Sequence, residues 1–175
     1  MLGSLATVPA LDRPDLLAAP VLAAVAHLPR EQVLVAAIEE DLADTAAFCA
    51  HYGVDPADSA NCVVVAGRRG EVTRLAACVV LATTRADVNG VVRRRLEARK
   101  ASFAPMETAV EQSGMAYGGI TPVGLPTDWA LLVDAAVPAR PWVVVGSGLR
   151  RSKLVLPGAL LGDLPGAEVV ADLAG

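Results

Sequence analysis

Two short stretches hold the residue types from which a binding site is most readily built. The first is GMAYGGITPVGLP at 114–126, with four glycines and two prolines in thirteen positions. Glycine tolerates positive φ and lets another group approach the main chain, whereas proline fixes φ and removes a donor. Together they make a stiff, shaped loop. Such a loop is either a plain connection or a pocket wall made of backbone. In the second reading Gly118 and Gly119 present bare amides to an anion or a carbonyl oxygen, and Pro122 holds the bend. The second stretch is GSGLRRSK at 146–153. A strand running into Gly146, Ser147 and Gly148, followed by Arg150, Arg151 and Lys153, puts pliable backbone and positive charge at one end of a sheet. The alternative is a solvated hairpin. The GxxxxGK[ST] pattern of a nucleotide-hydrolysing loop is absent.

Other chemistries find less support. Cys49, Cys62 and Cys78 have neither CxxC nor Cys/His ligand spacing, and they are read as buried, reduced thiols. No metal or cofactor is expected. His27 and His51 lie at helix ends without a serine or acid at readable spacing, so a histidine-based nucleophile is not indicated. Asp134 interrupts an apolar run. A buried carboxylate needs a partner, so it binds a substrate amine, pairs with Arg or Lys, or sits at a strand edge facing water. The bases Arg93, Arg94, Arg95, Arg99 and Lys100 form either a solvated helix face or a contact for RNA phosphates.

The elements that must position these groups follow from periodicity. Residues 14–27 have helical composition, and QVLVAAI at 32–38 is an apolar run of strand length. DTAAFCAHYG at 44–53 is a short helix, with Asp44 or Thr45 to cap it and Gly53 to end it. NCVVVAG (61–67) and VTRLAACVVLAT (72–83) flank RRGEV as a hairpin turning at Gly70. From Ala86 to Lys100, Val88, Val91, Val92 and Leu96 recur at helical spacing. Residues 105–114 form another helix, with Pro105 at its first position and Gly114 past its end. Strands are expected at 130–137, 141–148 and KLVLP, and a helical turn or two at 157–164. Interleaved strands and helices with a central hairpin imply a mixed α/β domain, its sheet partly closed and barrel-like, surrounded by helices.

Composition sets the outer bounds. A chain of 175 residues fits one domain, and its 54% hydrophobic content with only 3% aromatics requires a core of Ala, Val and Leu. No apolar run is long enough for a membrane span, and Pro20 breaks LLAAPVLAAVAHL; a soluble cytoplasmic protein is expected. Charge is uneven along the chain. Residues 1–60 carry a balance of −7 and residues 61–153 one of +6, within a total of −4. Nucleic acid is therefore admissible as a partner despite a pI near 5.1.

The order of elements from residue 32 onward, the strands NCVVVAG and RLAACVVLAT, the helix RADVNGVVRRRL and above all GGITPVG at 118–124 resemble the YbaK/EbsC family. These are aminoacyl-tRNA deacylases related to the editing domain of prolyl-tRNA synthetases. The resemblance implies an editing domain over residues 32–175, with residues 1–31 as an added helical extension. Its GGISP-type loop lines the aminoacyl pocket; Thr121 here stands for the serine. The family's lysine before the hydrophobic strand is matched by Asn61, an amide that donates and accepts but carries no charge.

The activity so implied is hydrolysis of the ester joining a small mischarged amino acid to tRNA, tRNA-Pro foremost. Gly118 and Gly119 hold the oxyanion, and Asn61 orients ester or ribose. Ile120, Thr121, Pro122, Gly146, Ser147 and Lys153 bind substrate, with the neighbouring 2′-hydroxyl assisting. Lys153, or else Lys100, restores the charge missing at Asn61. The implied partners are the acceptor end of an aminoacyl-tRNA and, beside it, a synthetase. The rival implied by Asn61 is a module of the same fold that binds tRNA or a protein without catalysis.

Overall fold

A computed structural model describes residues 2–175. The chain runs through β1 (Thr7–Pro9), α1 (Ala19–Val25), β2 (Leu34–Ala37), α2 (Thr45–Tyr52), β3 (Ala60–Arg69) and β4 (Val72–Leu81). A π-helical turn (Val88–Val92) then leads into the single turn α3 (Arg93–Arg95). After it come β5 (Lys100–Phe103), α4 (Met106–Ser113), β6 (Ala130–Asp134), β7 (Val143–Gly146), β8 (Ser152–Leu156), α5 (Gly158–Gly162) and β9 (Ala167–Val170).

The strands form two sheets, ordered β1-β2-β8-β7 and β5-β3-β4-β6-β9. The first is antiparallel throughout. The second joins the antiparallel hairpin β3–β4 to two parallel neighbours, β6 and β9. Mixed α/β is therefore the observed class. The expected barrel-like closure is not seen: β3 and β7 meet at one isolated bridge, Ser59 to Val144, and β1 and β9 are left as outer edges.

The layers explain the composition. Between the sheets, Val35, Val145, Leu154 and Leu156 pack against Ala77, Val79, Leu131 and Val133, and α1 closes one end with Val21 and Val25. The outer face of the second sheet buries Val65, Ala76, Cys78 and Val80 beneath Val92 and Leu96. The outer face of the first buries Val144 and Val155 under Phe48 and Cys49 of α2. Strands covered on both faces read as continuous apolar runs, and small branched side chains fill such layers without aromatics.

Several local expectations change in the structure. Helix over 14–27 narrows to α1, which Pro20 opens within its first turn, and single 3₁₀ turns at Ala10–Asp12 and Pro14–Leu16 precede it. The segment before residue 32 also supplies a strand: Thr7, Val8 and Pro9 pair with Ala36, Val35 and Leu34. The helix expected through Lys100 stops at Leu96, and Glu97 takes a positive φ of 52°. Lys100 belongs to β5 instead, paired with Arg68. The helix start is as read, since Asp87 accepts from the amides of Gly90 and Val91.

Asp134 has none of the three fates expected of it. It is buried, and it accepts from the amides of Ala136 (3.0 Å) and Ala174 (3.1 Å), tying the end of β6 to the C-terminal segment. Replacing it with Ala removes the acceptor for both amides; a loss of about 2 kcal/mol in chemical denaturation is expected.

Candidate functional site

A cleft of about 770 Å³ opens where the first residues of β3, the N-terminus of α2, the glycine loop and the ends of β7 and β8 converge. A second hollow, about 110 Å³ around the exposed Arg74–Glu97 ion pair, is too small for an aminoacyl ester. The two stretches singled out in the sequence build one wall of the large cleft together. Gly148 N–H donates to the Gly119 carbonyl (2.7 Å), and Ala116 N–H donates to the Gly148 carbonyl (2.8 Å). The hairpin and the glycine loop are one unit.

Within that unit the amides are used unequally. Gly119 N–H closes a turn on the Ala116 carbonyl at 2.9 Å, and Gly119 does not line the cleft. Gly118 and Ile120 do line it, and neither main-chain amide has a hydrogen-bond partner among the described residues. Of the loop's amides that border the cleft, those of Gly118 and Ile120 are therefore the ones left without a main-chain acceptor. Gly118 requires its glycine: φ is +80°, and a methyl group there would stand 2.5 Å from the Arg150 guanidinium.

Lys153 places a cation in the cleft. It faces the cleft from β8 and is only 7% exposed, so it does not lie on a phosphate-binding surface. Its Nζ donates to the Ala43 carbonyl (3.0 Å) and stands 5.3 Å from the centroid of the Phe48 ring. An ammonium has three donors, and two are left for a ligand. Burial holds its pKa below the usual lysine value, with Cys49 and Asp44 opposing that shift and Arg150 adding to it. Lys100 is exposed on β5 and takes no part in the cleft.

Asn61 opens β3 on the facing wall. Asp44 caps α2 by accepting from the amides of Ala46 and Ala47, which fixes Thr45 as the first helical residue. The Thr45 hydroxyl then donates to Asn61 Oδ1 at 2.6 Å. With Oδ1 engaged, both Nδ2 hydrogens remain available.

The other sequence-selected residues support the wall from behind. Ser147 is fully buried; its hydroxyl is held by Ser152 Oγ (2.7 Å) and receives the Leu149 amide. Pro122 is buried, and Thr121 is wholly buried, its Oγ1 without a hydrogen-bond partner among the described residues. None of the three lines the cleft. Gly146 does. The residues that sequence reasoning missed are Thr45 as a cleft residue, Phe103, Met106 and Tyr117; Arg150 was noted only as part of a basic segment. Thr45 could have been found from its capping position, but Phe103 gave no signal because β5 itself was unread.

The cysteines are inert. All three are free, and desolvation raises the pKa of each thiol, that of Cys78 to about 12. Cys62 borders the cleft, yet its thiol sits in the apolar wall and is shifted strongly upward. His27 and His51 are exposed and outside the cleft.

The cleft thus brings together a buried ammonium with one of its three donors engaged and unengaged main-chain amides, amid small apolar side chains, a set of groups with the chemistry to take a compact acyl or anionic group. The chain belongs to the aminoacyl-tRNA editing domain family, whose model matches residues 39–164. Among solved structures it is similar to a candidate trans-editing enzyme for prolyl tRNA synthetase, with TM-score 0.73, 22% identity, and coverage of 88% of this chain and 94% of that one. It is also similar to the hypothetical protein APE2540, with TM-score 0.70, 23% identity, and coverage of 81% and 90%. At such identities the likeness speaks for the fold. No curated protein sequence matches the chain. Among the described residues, no helix is long and apolar enough to cross a membrane.

Proposed function

We propose that the chain is a trans-editing deacylase that hydrolyses the ester between a small mischarged amino acid and tRNA, with tRNA-Pro the first substrate to try. The observation that carries this reading is Lys153: a buried cation with two donors unengaged, lining the same cleft as Gly118 and Ile120, whose amides are unpartnered among the described residues. The family membership and the printed description of the prolyl neighbour support the substrate class.

The reaction needs little from the protein beyond electrostatics and position. Water adds to the ester carbonyl carbon, the carbonyl oxygen takes up negative charge, and the bond to the ribose oxygen breaks. The vicinal ribose hydroxyl relays the water's proton to the departing oxygen, giving free amino acid and an intact diol. Lys153 and the Gly118 and Ile120 amides stabilise the oxyanion, while Asn61 Nδ2 donates to ester or ribose. Ala43, Ala60, Ala104 and Ala109 give the cleft an apolar lining that offers an amino-acid side chain neither charge nor hydrogen bonds, so selection there is by fit, as in a second sieve.

Release of amino acid from a panel of mischarged tRNAs tests the proposal. Turnover confined to small amino acids is expected, and binding without release refutes it in favour of a non-catalytic module. Asn61→Ala should lower kcat/KM about fivefold, because one neutral hydrogen bond is worth about 1 kcal/mol, while leaving the melting temperature within a few degrees of wild type. Unchanged turnover would remove Asn61 from the site.

A further inference from the structure

The chain has six aromatic residues, two each of Phe, Tyr and Trp. Phe48 and Trp129 are buried, as such side chains ordinarily are. The two most exposed, Phe103 at 68% and Tyr117 at 61%, both border the one large cleft, and Met106 beside them is 53% exposed. In a molecule so poor in aromatics, these two rings contribute nothing to the core and stand in water where a ligand must enter.

Their supports differ. Phe103 ends β5, the edge strand of its sheet, opposite Val65. Tyr117 lies in the glycine loop, and its carbonyl accepts from Arg150 Nη1 (3.2 Å), whose Nη2 donates to the Glu40 carbonyl (3.3 Å). Arg150 thus fixes the tyrosine's backbone and holds a cation at the same margin. From Phe103, β5 runs back roughly 10 Å, at about 3.3 Å per residue, to Lys100, which pairs with Arg68 and follows Arg99. Among the described residues, none of these three bases has a carboxylate partner within salt-bridge distance.

Aromatic faces next to uncompensated cations form the arrangement that binds unpaired nucleotides, in which rings stack on bases while the cations follow the phosphates. We propose that Phe103 and Tyr117 form a stacking platform for the unpaired 3′-terminal nucleobases of an RNA, with Arg68, Arg99 and Lys100 along the path of its backbone. This rests on the deacylase reading for the identity of the RNA, but it concerns recognition of bases, which that reading leaves unassigned. The platform explains how one cleft accepts a small acyl group without contacts to the amino acid beyond its size: the nucleoside end anchors the substrate and the cleft measures what is attached.

The test uses an uncharged hairpin RNA with a single-stranded CCA end and 2-aminopurine as its last base, so that no ester is involved. Binding to the wild-type protein should quench the 2-aminopurine. Phe103→Leu and Tyr117→Leu should each weaken binding about tenfold and diminish the quench, without altering the slope of affinity against salt, because no charge is removed. Phe103→Tyr and Tyr117→Phe keep a ring and should keep the affinity. Removal of the single-stranded end should abolish the difference between wild type and the leucine variants. Circular dichroism verifies that all four variants are folded.

Equal affinity of the leucine variants, or a quench that survives them both, overturns the proposal. Its failure is separable from that of the deacylase reading. Quench and ring dependence without turnover on mischarged tRNA would leave the platform standing and remove the enzyme. Turnover with KM unaffected by the leucine variants would do the reverse.

Discussion

Replacement of Lys153 by Met is expected to lower the rate of deacylation at least a hundredfold while the protein remains folded. Donors aimed at a developing oxyanion are each worth about 3 kcal/mol when removed, and this one carries a full charge in a site with little water. Methionine approximates the length of the stem, so the apolar contact with Phe48 survives. Arginine should not rescue the variant, because its planar fork cannot reproduce a compact ammonium. Single-turnover hydrolysis of a mischarged tRNA measures the effect; a loss under threefold would move the catalytic charge elsewhere.

The same residue makes a prediction about pH. Burial lowers the Lys153 pKa in the folded protein below the 10.5 of an ordinary lysine. Between the folded value and 10.5 the unfolded chain binds more protons, so stability rises with pH across that window. Below the window the folded protein carries the full cost of a buried cation. At pH 7, Lys153→Met should therefore melt at or above the wild-type temperature, even as it loses activity. Turnover, corrected for spontaneous ester hydrolysis, should decline as pH rises through the folded value, at a lower pH than a solvent-exposed lysine would give. Stability and activity move in opposite directions because the charge that is costly to bury is the charge the reaction uses.

The parts of this site that were legible in the sequence are those with a local cause. GGITPVG and GSGLRRSK stand out through glycine spacing, and both reach the cleft, while Asp44 announces a cap before a short apolar run. That the two glycine stretches grip each other, and that Lys153 reaches the cleft rather than the surface, depend on β8 lying between β2 and β7, a long-range pairing with no local signature. The Gly118 and Gly119 pair looked equivalent in sequence. Only the turn from Ala116 separates a bonded amide from an available one. The helix ending at Leu96 was masked because Val88, Val91, Val92 and Leu96 keep helical spacing right up to the break, and Glu97 then adopts a left-handed φ without the glycine that normally marks it. β5 was lost with it, and with β5 the exposed Phe103. Barrel closure was a matter of how far two sheets diverge, which no run of residues specifies.

Gly146→Ala should be the more destructive methyl addition of the two glycines that line the cleft. Gly146 ends β7, and a Cβ there would lie 2.5 Å from the Gly119 carbonyl oxygen and 2.9 Å from that of Ile120. Both are main-chain atoms, so no side chain can rotate aside. Either β7 retreats, disrupting its pairing with β8 at the Gly146–Lys153 register, or the glycine loop lifts away and breaks the Gly148 to Gly119 hydrogen bond. Overpacking of this kind costs about 1–3 kcal/mol, and a lost buried hydrogen bond adds about 1 kcal/mol. A loss of about 3 kcal/mol in denaturant unfolding is expected, with activity abolished even in the fraction that stays folded, because the movement displaces the Ile120 amide or Lys153. Gly70→Ala provides the contrast. Its φ of +62° strains any side chain, yet nothing stands within 4 Å of the added methyl. It should lose about 1 kcal/mol from the hairpin turn and retain full turnover, since the turn lies at the far end of β3 from Asn61. If the two variants behave alike, close packing of the loop against β7 is not what shapes the cleft.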